Sequence, residues 1–92
     1  MIRLNVFIQV TEANRASLLE LAKELVASSL NDEGCIAYDI FESSTRKEVL
    51  MICETWLNEE SLASHEQTVH FVTLVPQIQK LGNMKIEKFE WT

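Results

Sequence analysis

His65 and His70 are the only histidines in this 92-residue chain. A neutral imidazole, with an unperturbed pKa near ~6.5, can take a phenolic proton at physiological pH, and His65 is the better placed candidate base. Trp56 could set a flat wall against an aromatic ring, while the Asn5 amide and the Tyr38 hydroxyl could orient a substrate oxygen. Glu54 shares a strand face with Leu50, Ile52 and Trp56. If that face points inward, its carboxylate must be hydrogen-bonded or raised in pKa, which would make it a second acid or base. Each residue also has a plain structural reading: Trp56 as core anchor, His65 as helix brace, Glu54 as a buried bridge, and Asn5 and Tyr38 as structural polar groups.

Five residues separate the two imidazoles, which on one continuous helix turns them about 140° apart. With no carboxylate on the same face, the pair matches no common metal-ligand pattern, so no metal is expected. Gly-rich phosphate loops, Ser/His/Asp arrangements and flavin fingerprints are absent. No bound cofactor is therefore expected. Cys35 and Cys53 show no CxxC spacing and are expected to be reduced, half-buried apolar residues.

These groups must be carried by elements that the hydrophobic pattern predicts. Ile2, Leu4, Val6, Ile8 and Val10 alternate with Arg3, Asn5, Phe7 and Gln9, a strand buried on one face. From Asn14 to Leu30 the period changes to 3.6, with Leu18, Leu21, Ala22, Leu25 and Ser29 forming a stripe and Thr11 or Asn14 as N-cap. Gly34 suits the left-handed turn that closes the helix. Strands follow over Cys35 to Glu42 and Glu48 to Trp56, joined by a polar loop of hairpin length. Asn58 and Thr68 are predicted to cap a second helical region, broken or bent at Pro76 and ended by Gly82. Met84 to Trp91 reads as a last strand.

The order βαββαβ is that of an α+β, ferredoxin-like domain: one four-stranded antiparallel sheet with the helices on the same face. The third strand is apolar on both sides, since Val49, Met51 and Cys53 alternate with Leu50 and Ile52. With Phe7 and Phe41 they predict an open face that something else must cover, and a homodimer packed sheet to sheet is the simplest solution. The length allows a single core, so residues 1–92 read as one domain. A net charge of −6 without any Lys/Arg cluster leaves no footprint for nucleic acid. No apolar run is long enough to span a membrane and no signal-peptide pattern opens the chain, so a cytoplasmic protein is expected.

Two segments carry a resemblance. Asp32, Glu33, Gly34, Cys35, Ile36, Ala37 and Tyr38 are similar to the E-G-C-x-x-Y join of helix one and strand two in the antibiotic-biosynthesis-monooxygenase family. Glu54, Thr55 and Trp56, followed by Leu62, His65, His70 and Phe71, are similar to its run from strand three into helix two. The resemblance implies a dimeric α+β barrel with a pocket between sheet and helices in each subunit. It also implies an activity among cofactor-independent oxygenation of quinol or polyketide-type rings, haem degradation, and isomerisation of a small phosphorylated metabolite. Haem degradation is disfavoured, because the family's iron-ligand position corresponds to Val75. With His65, Trp56 and Asn5 in catalysis and Tyr38, Glu54, His70 and Phe71 in substrate contact, oxygenation of a small aromatic is the expected activity. The alternatives are an isomerase for a small polar metabolite and a non-enzymatic ligand-binding dimer.

Overall fold

A computed structural model describes all 92 residues. Ile2, Leu4, Val6, Ile8 and Val10 are all buried along one face of the first strand, β1 (Ile2–Val10), as strict alternation requires. The chain then forms α1 (Glu12–Ser29), β2 (Cys35–Glu42), β3 (Val49–Trp56), α2 (Glu59–His65), α3 (Val69–Leu81) and β4 (Gly82–Glu90). One antiparallel sheet has the order β2-β3-β1-β4, with β1 and β3 paired at its centre from Ile2 opposite Trp56 to Gln9 opposite Val49. This is the expected ferredoxin-like architecture. None of its helices is long and apolar enough to cross a membrane.

The core lies between the sheet and the helices. Leu18, Ala22 and Leu25 of α1 and Leu74 and Ile78 of α3 descend onto Ile8, Leu50 and Ile52. The opposite sheet face has no helix over it. There Met51 stands in register between Phe7 and Phe41, three large apolar side chains in a row across the strands, with both phenylalanines exposed.

The helix ends differ from the sequence expectations in instructive ways. Helix α1 begins at Glu12, with Thr11 as a cap residue that makes no side-chain bond. Asn14, the other cap candidate, sends its amide to the Leu81 carbonyl instead, tying α1 to the end of α3. Asn58 and Thr68 cap α2 and α3 as expected, so the second helical region breaks at Glu66–Thr68, while Pro76 sits inside α3 without breaking it. Thr68 dictates this position. Its hydroxyl accepts from the Phe71 amide at 3.3 Å and donates to the His65 carbonyl at 2.7 Å, closing α2 and opening α3 together. The carbonyl that Pro76 leaves without a helical donor belongs to Val72, which is exposed and can be satisfied by water.

Cys35 and Cys53 are both free and half-buried. Gly34 has φ +81°, the left-handed conformation anticipated for the turn after α1. Its carbonyl accepts from the Leu57 amide at 2.8 Å, which pins that turn against the end of β3.

Candidate functional site

The helix break redirects His70. Instead of pointing away from His65, it meets it at one carboxylate oxygen. Nδ1 of His65 lies 2.7 Å and Nε2 of His70 lies 2.8 Å from Oδ2 of Asp32. Asp32 is held by the turn that Gly34 makes possible, its backbone N–H donating to the Ser29 carbonyl at 3.0 Å and its carbonyl accepting from Cys35 at 3.1 Å. The sequence placed Asp32 only in the join between α1 and β2 and gave it no chemical role. A usable signal was present, since a buried histidine needs a polar partner and Asp32 sits in the turn beside the Tyr38 strand.

His65 is packed into an aromatic cluster. Its ring centroid is 4.5 Å from that of Trp56, 5.2 Å from Phe71 and 5.5 Å from Tyr38. The residue is only 1% exposed, and its Nε2 has no hydrogen-bond partner. Burial pushes the pKa of His65 down, partly offset by the hydrogen bond and charge of Asp32.

Glu54 and Tyr38 form the polar edge of a second group. Glu54 is buried, and Oε1 accepts from the indole N–H of Trp56 at 2.9 Å. Desolvation raises its carboxyl pKa from 4.5 to about 7, against the stabilising bonds from Trp56 and Tyr38. Tyr38 is raised well above its ordinary value, first by burial and then by the nearby Glu54 charge, so it remains a hydroxyl donor.

Two cavities border these residues. The apolar one, of about 110 Å³, lies between sheet and helices, with Tyr38, Glu54, Phe71, Leu4, Val75 and Met84 in its wall. Its remaining polar lining is Glu66 and Gln79, and no Lys or Arg faces it. The other cavity, of about 410 Å³, is polar and open, lined by Asp32, Glu33, Asn58, Glu60, Ser61 and His65 among others. The expected site residues are thus divided. Tyr38, Glu54 and Phe71 share the apolar cavity, His65 borders the polar one, and Trp56 stands between Glu54 and His65 without lining either. Asn5 lies apart from all of them, pairing with Cys53 and Glu87 on the helix-free side of the sheet.

The model of the family described as "Antibiotic biosynthesis monooxygenase" matches residues 1–77. A Bacillus subtilis (strain 168) protein named "Putative monooxygenase YcnE" is 32% identical over 81 residues, covering 88% of this chain and 85% of its own. A conserved Bacteroides thetaiotaomicron protein, described as a possible oxidoreductase, superimposes with a TM-score of 0.96 at 63% identity, covering 98% of this chain and 96% of that one. SnoaB, a cofactor-independent oxygenase from Streptomyces nogalater, shares the fold with a TM-score of 0.88 at 10% identity, covering 98% of this chain and 91% of its own.

Proposed function

This chain belongs to the antibiotic biosynthesis monooxygenase family, and from that premise we propose that it oxidises a small quinol-type aromatic with O2, without a cofactor. What supports this most directly is Glu54, an ionisable carboxyl raised to about 7 in the wall of an apolar cavity. Such a group can take a proton from a buried phenol near neutral pH.

The cavity bounds the substrate class. Its volume of about 110 Å³ is comparable to the ~150 Å³ apolar cavity known to hold benzene, so it suits one ring. Its ionisable wall groups are acidic or neutral, with no cation to hold a phosphate. That chemistry weighs against the isomerase of a phosphorylated metabolite and favours an uncharged ligand that donates hydrogen bonds.

In the proposed reaction, Glu54 takes the phenolic proton while Phe71 packs on the ring and the Tyr38 hydroxyl stabilises the phenolate oxygen. The phenolate passes one electron to O2, and the resulting radical pair combines at a ring carbon. Loss of water from the peroxide leaves a new carbonyl. One oxygen atom enters the ring, the other leaves as water, and all four electrons come from the substrate. Trp56 positions Glu54 through its indole N–H, and the Asp32-bound His65 braces Trp56 from behind.

Oxygen uptake with a panel of benzene- and naphthalene-hydroquinones tests the proposal. Single-ring hydroquinones should be consumed faster than naphthalene ones, and Glu54→Gln should lower kcat/KM by about 100-fold or more. Uptake no faster than autoxidation across the panel would leave a ligand-binding role as the better account.

A further inference from the structure

We propose that Asp32, His65 and His70 form a binding site for a divalent transition-metal ion, separate from the apolar cavity. The three ligand atoms lie within 4.8 Å of one another. The sequence argument against a metal rested on a continuous helix and a missing carboxylate. The break at Thr68 removes the first objection and Asp32 the second.

The donor set is two imidazole nitrogens and one carboxylate oxygen. It suits zinc, cobalt, nickel or ferrous iron rather than magnesium or calcium, which prefer oxygen ligands. Metal bonds of about 2.0–2.2 Å in a tetrahedron would set the ligand atoms about 3.3 Å apart. The Asp32 oxygen must move outward from separations of 2.7 and 2.8 Å, and the two imidazole nitrogens, within 4.8 Å of one another, must come to the same spacing, a rearrangement open to the partly exposed Asp32 and His70. His65 is already fixed by its packing against Trp56 and Phe71.

The unpartnered Nε2 of His65 is the second observation. If Nδ1 carries the proton toward Asp32, the lone pair on Nε2 is left buried without a donor. If Nδ1 binds an ion instead, the hydrogen moves to Nε2 and no lone pair of the ring is left buried. Access is through the polar cavity, where Asp32 and His65 share the wall with Glu33 and Glu60 and no cationic side chain. Its volume of about 410 Å³ leaves room for water or a small ligand at a fourth coordination position.

Since the chain has only two histidines, imidazole ligation can report nothing but this site. Zn²⁺ titrated calorimetrically into reduced, untagged protein should bind one ion per chain and raise Tm, reversibly with EDTA. Co²⁺ should give a visible spectrum of nitrogen and oxygen ligation. His70→Ala and Asp32→Asn should each weaken binding at least about tenfold, given that even supporting residues are worth 10–100-fold. His70→Cys should retain a site and add a thiolate-to-cobalt band, which separates lost ligation from lost folding. Absence of Zn²⁺ and Co²⁺ binding, unchanged affinity in His70→Ala, or a thiolate band in the natural chain would each overturn the proposal.

Discussion

Glu54 is the residue on which pH acts most directly. Its carboxyl ionises near 4.5 in an open chain but near 7 when folded. Below 4.5 both states hold the proton and its contribution to stability is intact. As pH rises toward 7 the unfolded chain has released a proton that the folded chain still holds, so stability falls across that window. The whole effect amounts to about 3 kcal/mol. Urea denaturation at about pH 5 and about pH 8 should show this decline in the natural chain and a much flatter profile in Glu54→Gln, whose amide oxygen can still accept from Trp56. Matching slopes in the two proteins would remove Glu54 as the cause. The same ionisation should give kcat/KM with hydroquinones a rising limb centred near 7 that Glu54→Gln lacks. At this scale the sequence was partly legible. Alternation placed Glu54 and Trp56 on one inward face, and a carboxylate there had to be perturbed. The Asp32 contact was hidden because it joins residues 33 and 38 positions apart through a helix break that Pro76 seemed to locate elsewhere.

At the scale of elements, period alone carried most of the information. A period of two placed β1 to the residue, because one-sided burial permits no other register, while β-branched and apolar runs between turn residues placed the other strands within two residues of their observed ends. Asn58 and Thr68 cap as their types and positions predicted, whereas at α1 Thr11 and Asn14 are similar chemically and only the tertiary partner of Asn14 decides between them. At Gly34 local chemistry and tertiary contact agree. Its φ of +81° disfavours any side chain, and a Cβ there would stand 2.0 Å from Oγ of Ser61. Gly34→Ala should therefore cost at least ~1–2 kcal/mol from the left-handed conformation alone, with the clash against α2 in addition. Chemical denaturation measures this. Adding Ser61→Gly should recover only part of the loss, since the backbone conformation stays strained. A fully neutral Gly34→Ala would mean that the turn holding Asp32 can be built another way. Because that turn also presents Asp32 to both histidines, the same variant should weaken their convergence.

For the whole molecule, the deciding feature is the sheet face without helices. Four strands about 4.8 Å apart and eight residues long at about 3.3 Å each give a flat area of roughly 500 Å². The pleated, side-chain-bearing surface is larger, which brings it within reach of the ~800 Å² per partner of a stable interface. Its centre is the row Phe41, Met51 and Phe7, with Lys85 opposite Phe7 at the rim and the exposed Phe89 further along β4. An apolar centre with a charged edge is the anatomy of an interface. We propose that a second copy of the chain covers it, so that each subunit keeps its apolar cavity on the far side of its own sheet. Sedimentation at micromolar concentration should find a dimer. Met51→Lys would bury an unpaired charge at the middle of the contact and should yield monomers, whereas Lys85→Ala at the rim should leave the dimer intact. The dimer's Tm should rise with protein concentration and that of Met51→Lys should not. If the natural chain sediments as a monomer, Phe7, Phe41 and Met51 need a different partner. The cavity chemistry of Glu54 and Tyr38 would be untouched by that outcome, because it is built within one subunit.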